Sequence, residues 1–99
     1  MMKEMTTAEL QQLLDQGEQL HLIDVREADE VAEGMIPSAI HIPLGDVPAR
    51  LGELDKAKAY IIICRSGGRS GRATEFLTEE GYDATNMVGG MLDWAGATE

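Results

Sequence analysis

Cys64 is the lone cysteine of the chain, and it opens the segment Cys64-Arg65-Ser66-Gly67-Gly68-Arg69-Ser70. Two adjacent glycines admit backbone angles barred to other residues. They let consecutive N–H groups turn inward and form an anion nest. An apolar strand pattern feeds the segment and a helical pattern leaves it, so a helix N-terminus adds partial positive charge. Arg65 and Arg69 add two permanent charges. A free thiol titrates near pKa ~8.5, and helix N-termini with nearby cations lower it to roughly 3.5–7.5. The thiolate is the nucleophile, and an anionic group later attached to that sulfur meets the same donors. A lone cysteine reads as core filler, as half of an intermolecular disulfide or as a reactive thiol; the glycines and arginines favour the third. A phosphate loop is a competing reading, but no Gly-Lys-Ser/Thr follows the glycines. One cysteine excludes an intrachain disulfide and an all-cysteine zinc site.

Charge placement agrees with this reading. The chain carries 18 acidic and 8 basic residues, a net charge of −10. Three of the basic residues, Arg65, Arg69 and Arg72, fall in a stretch without acids. A local positive site in an acidic protein suits a small anionic ligand. The overall balance disfavours nucleic acid, whose recognition relies on clustered Lys and Arg. The 43% hydrophobic fraction suits a globular core. No apolar run approaches the ~20 residues of a membrane span. Met1-Met2-Lys3-Glu4-Met5 does not resemble a signal peptide. The expectation is one domain over 1–99, cytoplasmic, with no membrane partner, metal or cofactor.

The elements that would position Cys64 follow from pattern. Thr6 and Glu9 have capping-box spacing, and Leu10, Leu13 and Leu14 continue a helix over about 7–16. Strand patterns run from Leu20 to Val25 and from Ala39 to Ile42, with a helical turn over 26–32 between them. Asp46 to Leu54 reads as helix, with Pro48 in its first turn. Tyr60-Ile61-Ile62-Ile63 reads as a strand buried on both faces. A helix over about 69–80, a strand from Ala84 to Val88 and a helix beginning at Met91 complete the chain. Such alternation predicts an α/β domain with a mainly parallel sheet. Ligands in such sheets bind beyond the carboxyl ends of the strands, where Cys64 lies.

The segment from Cys64 to Ser70 resembles the active loop of the rhodanese family of sulfurtransferases. Leu22-Ile23-Asp24-Val25-Arg26-Glu27 is similar to the family's early strand motif. Glu33-Gly34-Met35-Ile36-Pro37-Ser38-Ala39 and Ile42-Pro43 resemble its second motif. Gly81-Tyr82, Val88-Gly89-Gly90 and Trp94 resemble its C-terminal pattern, so the motifs lie within about 6–97. Two positions depart. The family's second motif usually reads Gly-His-Ile-Pro-Gly-Ala, and here Met35 replaces the His and Ser38 the second Gly.

The resemblance implies a three-layer α/β/α domain. It implies an enzyme, a thiosulfate sulfurtransferase, in which Cys64 takes the outer sulfur from a small anionic donor. A Cys64 persulfide would form, and cyanide or a thiol would accept the sulfur. Arg65 and Arg69 would bind the donor, and Ser66, Gly67, Gly68 and Ser70 would complete the nest that holds the persulfide. A persulfide carrier between proteins is the alternative. Cysteine phosphatases place Arg six positions after Cys, where this chain has Ser70; Arg69 stands at five. The shorter loop suits one extra sulfur and crowds a tetrahedral phosphate or arsenate, so a phosphatase or arsenate reductase is a minor alternative. Basic loops of this kind also resemble thiosulfate users more than mercaptopyruvate users.

Other polar residues read as structural. Asp24 and Arg26 suit a loop-supporting ion pair. His21 and His41 sit among apolar neighbours, and Tyr82 and Trp94 suit packing. Glu27, Asp29, Glu30 and Glu33 read as a solvated face.

Overall fold

Tyr60 to Ile63 are all buried, and this run forms the middle of the sheet. The computed structural model describes residues 2–99; Met1, part of the N-terminal reading above, lies outside them. The strands are β1 (Lys3–Thr6), β2 (His21–Asp24), β3 (Ile40–His41), β4 (Ala59–Ile63) and β5 (Asp83–Val88). The helices are α1 (Thr7–Asp15), α2 (Ala28–Val31) and α3 (Gly68–Glu79). Tight three-residue-per-turn helices cover Leu44–Asp46, Pro48–Glu53 and Met91–Asp93. The sheet order is β1-β5-β4-β2-β3, and every pairing is parallel.

Side chains alternate across a strand with a period of two. Ile61 and Ile63 therefore face one layer, with Leu10, Leu22, Ile36 and Met87. Tyr60, Ile62 and Cys64 face the other, with Val25, Ala73, Leu77 and Ala84. Helix α1 contributes Leu10 to the first layer, and α3 contributes Ala73 and Leu77 to the second. The result is the three-layer α/β/α arrangement. The parity of Cys64 with Ile62 points its sulfur toward the α3 face of the sheet. Among the described residues, no helix is long and apolar enough to cross a membrane.

Several expectations need correction. The strand β1 has no period-two pattern of its own. It is a mostly exposed edge held by backbone pairing to β5, from Lys3↔Thr85 to Thr6↔Val88. The predicted helix over 46–54 is replaced by two tight turns. Gly45, Pro48 and Gly52 weaken an α-helical ladder, while Leu44, Val47, Leu51 and Leu54 still cover the Ile62 face. The helix expected from Met91 is a single tight turn. The α1 capping box forms as expected, with Glu9 N–H donating to Thr6 Oγ1 at 3.1 Å and Thr6 N–H to Glu9 Oε1 at 2.9 Å.

The departures in the second motif have local consequences. Ser38 adopts φ +72°, a left-handed conformation that suits the family's glycine better than a residue with a Cβ. Met35 acts through its backbone, exchanging hydrogen bonds with Glu99 at 3.1 and 2.9 Å. Those bonds fasten the C-terminal residues beside the α2 connection.

The topology creates one crevice at the carboxyl end of the sheet. Neighbouring strands β2 and β4 continue in opposite directions, β2 out to β3 and β4 by way of α3 to β5. Their exits diverge, and Arg26 and Arg65 line the gap between them.

Candidate active site

Cys64 follows the last residue of β4, and Gly68 begins α3. Only three residues separate them, so the loop must turn sharply. Gly67 makes the turn with φ +105°. The turn aims its N–H at the sulfur, with Gly67 N 3.0 Å from Cys64 Sγ. Gly68 does not take a left-handed φ, so one of the two adjacent glycines supplies the unusual conformation.

Ser70, in the first turn of α3, reaches back to the same atom, with Oγ 3.3 Å from Cys64 Sγ. Its hydroxyl has one proton and faces two acceptors, Cys64 Sγ and Asn86 Oδ1. Asn86 Nδ2 donates to Gly67 O at 3.2 Å, which fixes the amide with Oδ1 toward Ser70. Thr74 Oγ1 donates to Ser70 O at 2.7 Å and braces the helix start. Asn86, Ser70 and Thr74 are all buried. Sequence reasoning missed Asn86. Its signal was a polar residue at the inward parity of β5, two positions after the core residue Ala84.

Burial pushes the Cys64 thiol up. The Ser70 hydroxyl and the backbone N–H groups of Ser70, Gly67 and Ser66 pull it down and prevail, so it titrates below its ordinary value. The donors of the nest, rather than the arginines, are the principal cause. The folded state thus favours the thiolate. This group's contribution to stability is full above its unfolded pKa and is lost as pH falls through the folded one. In Ser70→Ala, the pH profile of Cys64 alkylation should move up by about one pH unit. An unshifted profile would show that the backbone donors suffice alone.

Cys64 is 1% exposed, so the sulfur lies at the floor of the loop and only a slim reagent reaches it. The loop is held from behind. Met91 N–H donates to Cys64 O at 2.9 Å, and Leu92 N–H to Arg65 O at 3.0 Å. Gly90 packs flat against the Arg65–Ser66 peptide; a Cβ there would lie 2.3 Å from Arg65 O. The C-terminal glycine pair therefore serves the active loop by close packing.

Asp24 and Arg26 form the expected ion pair. Arg26 Nε donates to Asp24 Oδ1 at 3.0 Å and Nη2 to Oδ2 at 2.9 Å. Arg26 also donates to Gly34 O at 2.7 Å, tying the end of β2 to the end of α2. His41 Nε2 meets Arg26 O at 2.7 Å and holds the same corner. His21 lies against Tyr60, with ring centroids 5.8 Å apart. Tyr82 and Trp94 pack against the two core layers.

The two loop arginines differ in their surroundings. Arg65 is exposed and lines a cleft of about 480 Å³ with Arg26, Glu33 and Leu92. Arg69 turns to α2, where Nη1 and Nη2 meet Glu30 Oε1 and Oε2 at 2.6 and 2.7 Å. The solvated-face reading is therefore corrected at Glu30, whose carboxylate is engaged. The pair joins residues 39 positions apart, and no local pattern announces it.

The sequence of residues 6–97 matches the model of the rhodanese-like domain. The chain belongs to the rhodanese-like family. It is 50% identical over 97 residues to YtwF of Bacillus subtilis, covering 98% of this chain and 94% of that protein. The name of YtwF gives sulfurtransferase activity as an inference. A protein of Allochromatium vinosum named sulfurtransferase is 38% identical, covering 96% of this chain and 90% of its own. A crystal structure of a rhodanese-like domain protein from Staphylococcus aureus superposes with a TM-score of 0.94 at 38% identity, covering 99% of this chain and 97% of that one. This rhodanese-like domain thus shares its fold over nearly its whole length with those relatives. Within that frame, Cys64 occupies the strand-to-helix loop, and Glu30 from α2 meets Arg69 in the first turn of α3.

Proposed function

We propose that this chain is a sulfurtransferase acting through a persulfide on Cys64. The observation that carries the reading is the pair of donors on one buried sulfur, Gly67 N–H at 3.0 Å and the Ser70 hydroxyl at 3.3 Å. The relatives named sulfurtransferases support the same chemistry. With thiosulfate as donor, the Cys64 thiolate attacks the outer sulfur. The donor's S–S bond breaks, sulfite leaves with the electron pair, and Cys64–S–S⁻ remains. The terminal sulfur then meets the donors that faced the thiolate. Cyanide or a thiol attacks that sulfur, leaves as thiocyanate or a new persulfide, and restores the Cys64 thiolate. Arg65, Arg69, Ser66 and Gly68 are the further loop residues that we assign to donor binding and to the nest. The free thiol suits a reducing compartment such as the cytoplasm.

Two half-reactions on one sulfur predict ping-pong kinetics. Double-reciprocal plots at varied cyanide should give parallel lines, and Cys64→Ser should abolish turnover. In Arg65→Ala, the thiosulfate KM should rise about tenfold with little change in kcat, as expected for a lost charge-assisted contact. Intersecting lines, or full turnover without Cys64, would remove the reading.

A persulfide carrier between proteins would use the same first step. Leu92, 64% exposed on the rim of the cleft beside Arg65, is the feature that favours a protein acceptor. The phosphatase and arsenate reductase readings have weaker support. Arg69, the loop cation nearest to a phosphatase pattern, has its guanidinium closed on Glu30.

A further inference from the structure

Glu30 accepts three hydrogen bonds, two from Arg69 and one from Glu27 N–H at 2.9 Å. The Glu27 bond belongs to the capping box of α2, so the helix start holds the carboxylate in place for Arg69. The Arg69 hydrogen bonds, with that of Glu27, hold the Glu30 carboxyl down to about 2. The pair therefore stays charged wherever a cysteine thiolate can form. Glu30 takes one donor from each of Nη1 and Nη2 of Arg69 and offsets its charge, so less of both is left for a donor anion. Arg26 is likewise closed on Asp24. Arg65 has no ion-pair partner among the described residues. The cleft beside it also holds Glu33, and Met91 and Leu92 give one wall an apolar character. With Arg69 neutralised by Glu30, a compact dianion loses more attraction than a donor that presents a slim sulfur end of lower charge.

We propose that Glu30 is a specificity-determining residue: by occupying Arg69 it weakens capture of compact dianionic donors such as thiosulfate and favours donors that present sulfur on an organic thiol. This inference rests on the sulfurtransferase reading. With an organic persulfide R–S–SH, the Cys64 thiolate attacks the outer sulfur. The donor's S–S bond breaks, and R–S⁻ leaves with the electron pair. The new S–S bond gives Cys64–S–SH, the proton staying on the outer sulfur. No oxidant or reductant is consumed. The leaving thiolate carries one charge, against two for sulfite, so its departure depends less on the Arg69 cation that Glu30 holds.

Glu30→Gln tests this. Glutamine keeps the size and the acceptor for Glu27 N–H and removes the charge that holds Arg69. The thiosulfate KM should fall about fivefold, the scale of a partly exposed ion pair, with kcat unchanged. Formation of the Cys64 persulfide from glutathione persulfide should stay within about twofold of the parent rate. The double variant Glu30→Gln with Arg69→Gln should lose the gain, because the gain acts through Arg69. Should Glu30→Gln fail to fold, Glu30→Asp, which shortens the reach, should move the KM the same way. An unchanged or raised thiosulfate KM in a folded variant would overturn the proposal and make Glu30 a support for Arg69. Absence of a Cys64 persulfide from both donors in the parent protein would instead remove the sulfurtransferase reading.

Discussion

Gly90→Ala should cost about 3 kcal/mol of stability and most of the transfer activity. Gly90 has φ +60° and ψ −163°, a region essentially confined to glycine. An added Cβ would lie 2.3 Å from Arg65 O, 2.4 Å from Arg65 C and 2.5 Å from Ser66 N. Those are backbone atoms of the active loop, and they cannot rotate aside. Relief requires the loop to shift, and with it the donors that face Cys64. Backbone strain and overpacking each cost roughly 1–3 kcal/mol. Gly89→Ala is the control. It also carries a left-handed φ, but its Cβ would meet the Asp93 carboxylate, which can swing away. Denaturant unfolding and the rate of Cys64 alkylation would read both effects. Equal losses at Gly89 and Gly90 would show that conformation, and not contact with the loop, sets the requirement.

Arg26→Ala should destabilise the domain by about 3–5 kcal/mol, the cost of leaving a buried charge without its partner. Asp24 is 0% exposed, and Arg26 supplies its ion pair and its backbone N–H bond. For a domain of this size the melting temperature should drop by on the order of 15 °C. The Gly34 carbonyl would lose its guanidinium donor as well, loosening the end of α2 that carries Glu30. Adding Asp24→Asn should restore part of the stability, since the orphaned charge is then removed. A single variant within about 1 kcal/mol of the parent would mean that water or a rearranged cation replaces Arg26.

The sequence exposed the features that local pattern encodes. The run from Tyr60 to Ile63 marked the central strand, and Gly67 with the helical periodicity after it marked the turn into α3. Together they placed Cys64 at the carboxyl end of the sheet. The pairing of Asp24 with Arg26 was legible because the two side chains sit two residues apart at a strand end. What local pattern does not encode was missed. The strand β1 has one apolar residue, Met5, and exists because β5 offers it a backbone edge. The segment from Asp46 to Leu54 has apolar spacing that serves a tight turn as well as an α-helix. Glu30 looked like one more acid on a charged face, and only the fold brings it to Arg69. The two loop arginines look alike in the sequence, and only the fold shows that Arg69 meets Glu30 while Arg65 has no ion-pair partner among the described residues. Of the loop N–H groups and arginines read as activating Cys64, the N–H groups with the Ser70 hydroxyl are the principal causes that lower its pKa, and Ser70's side chain was the part that pattern did not single out.

The central claim is that Cys64 carries a sulfur atom between a donor and an acceptor. Mass spectrometry of the protein after incubation with thiosulfate or glutathione persulfide, without reductant, tests it directly. The account predicts a gain of one sulfur atom on the peptide that contains Cys64. Cyanide should remove that sulfur as thiocyanate, and Cys64→Ser should never acquire it. No gain from either donor, or an equal gain in Cys64→Ser, would contradict the account.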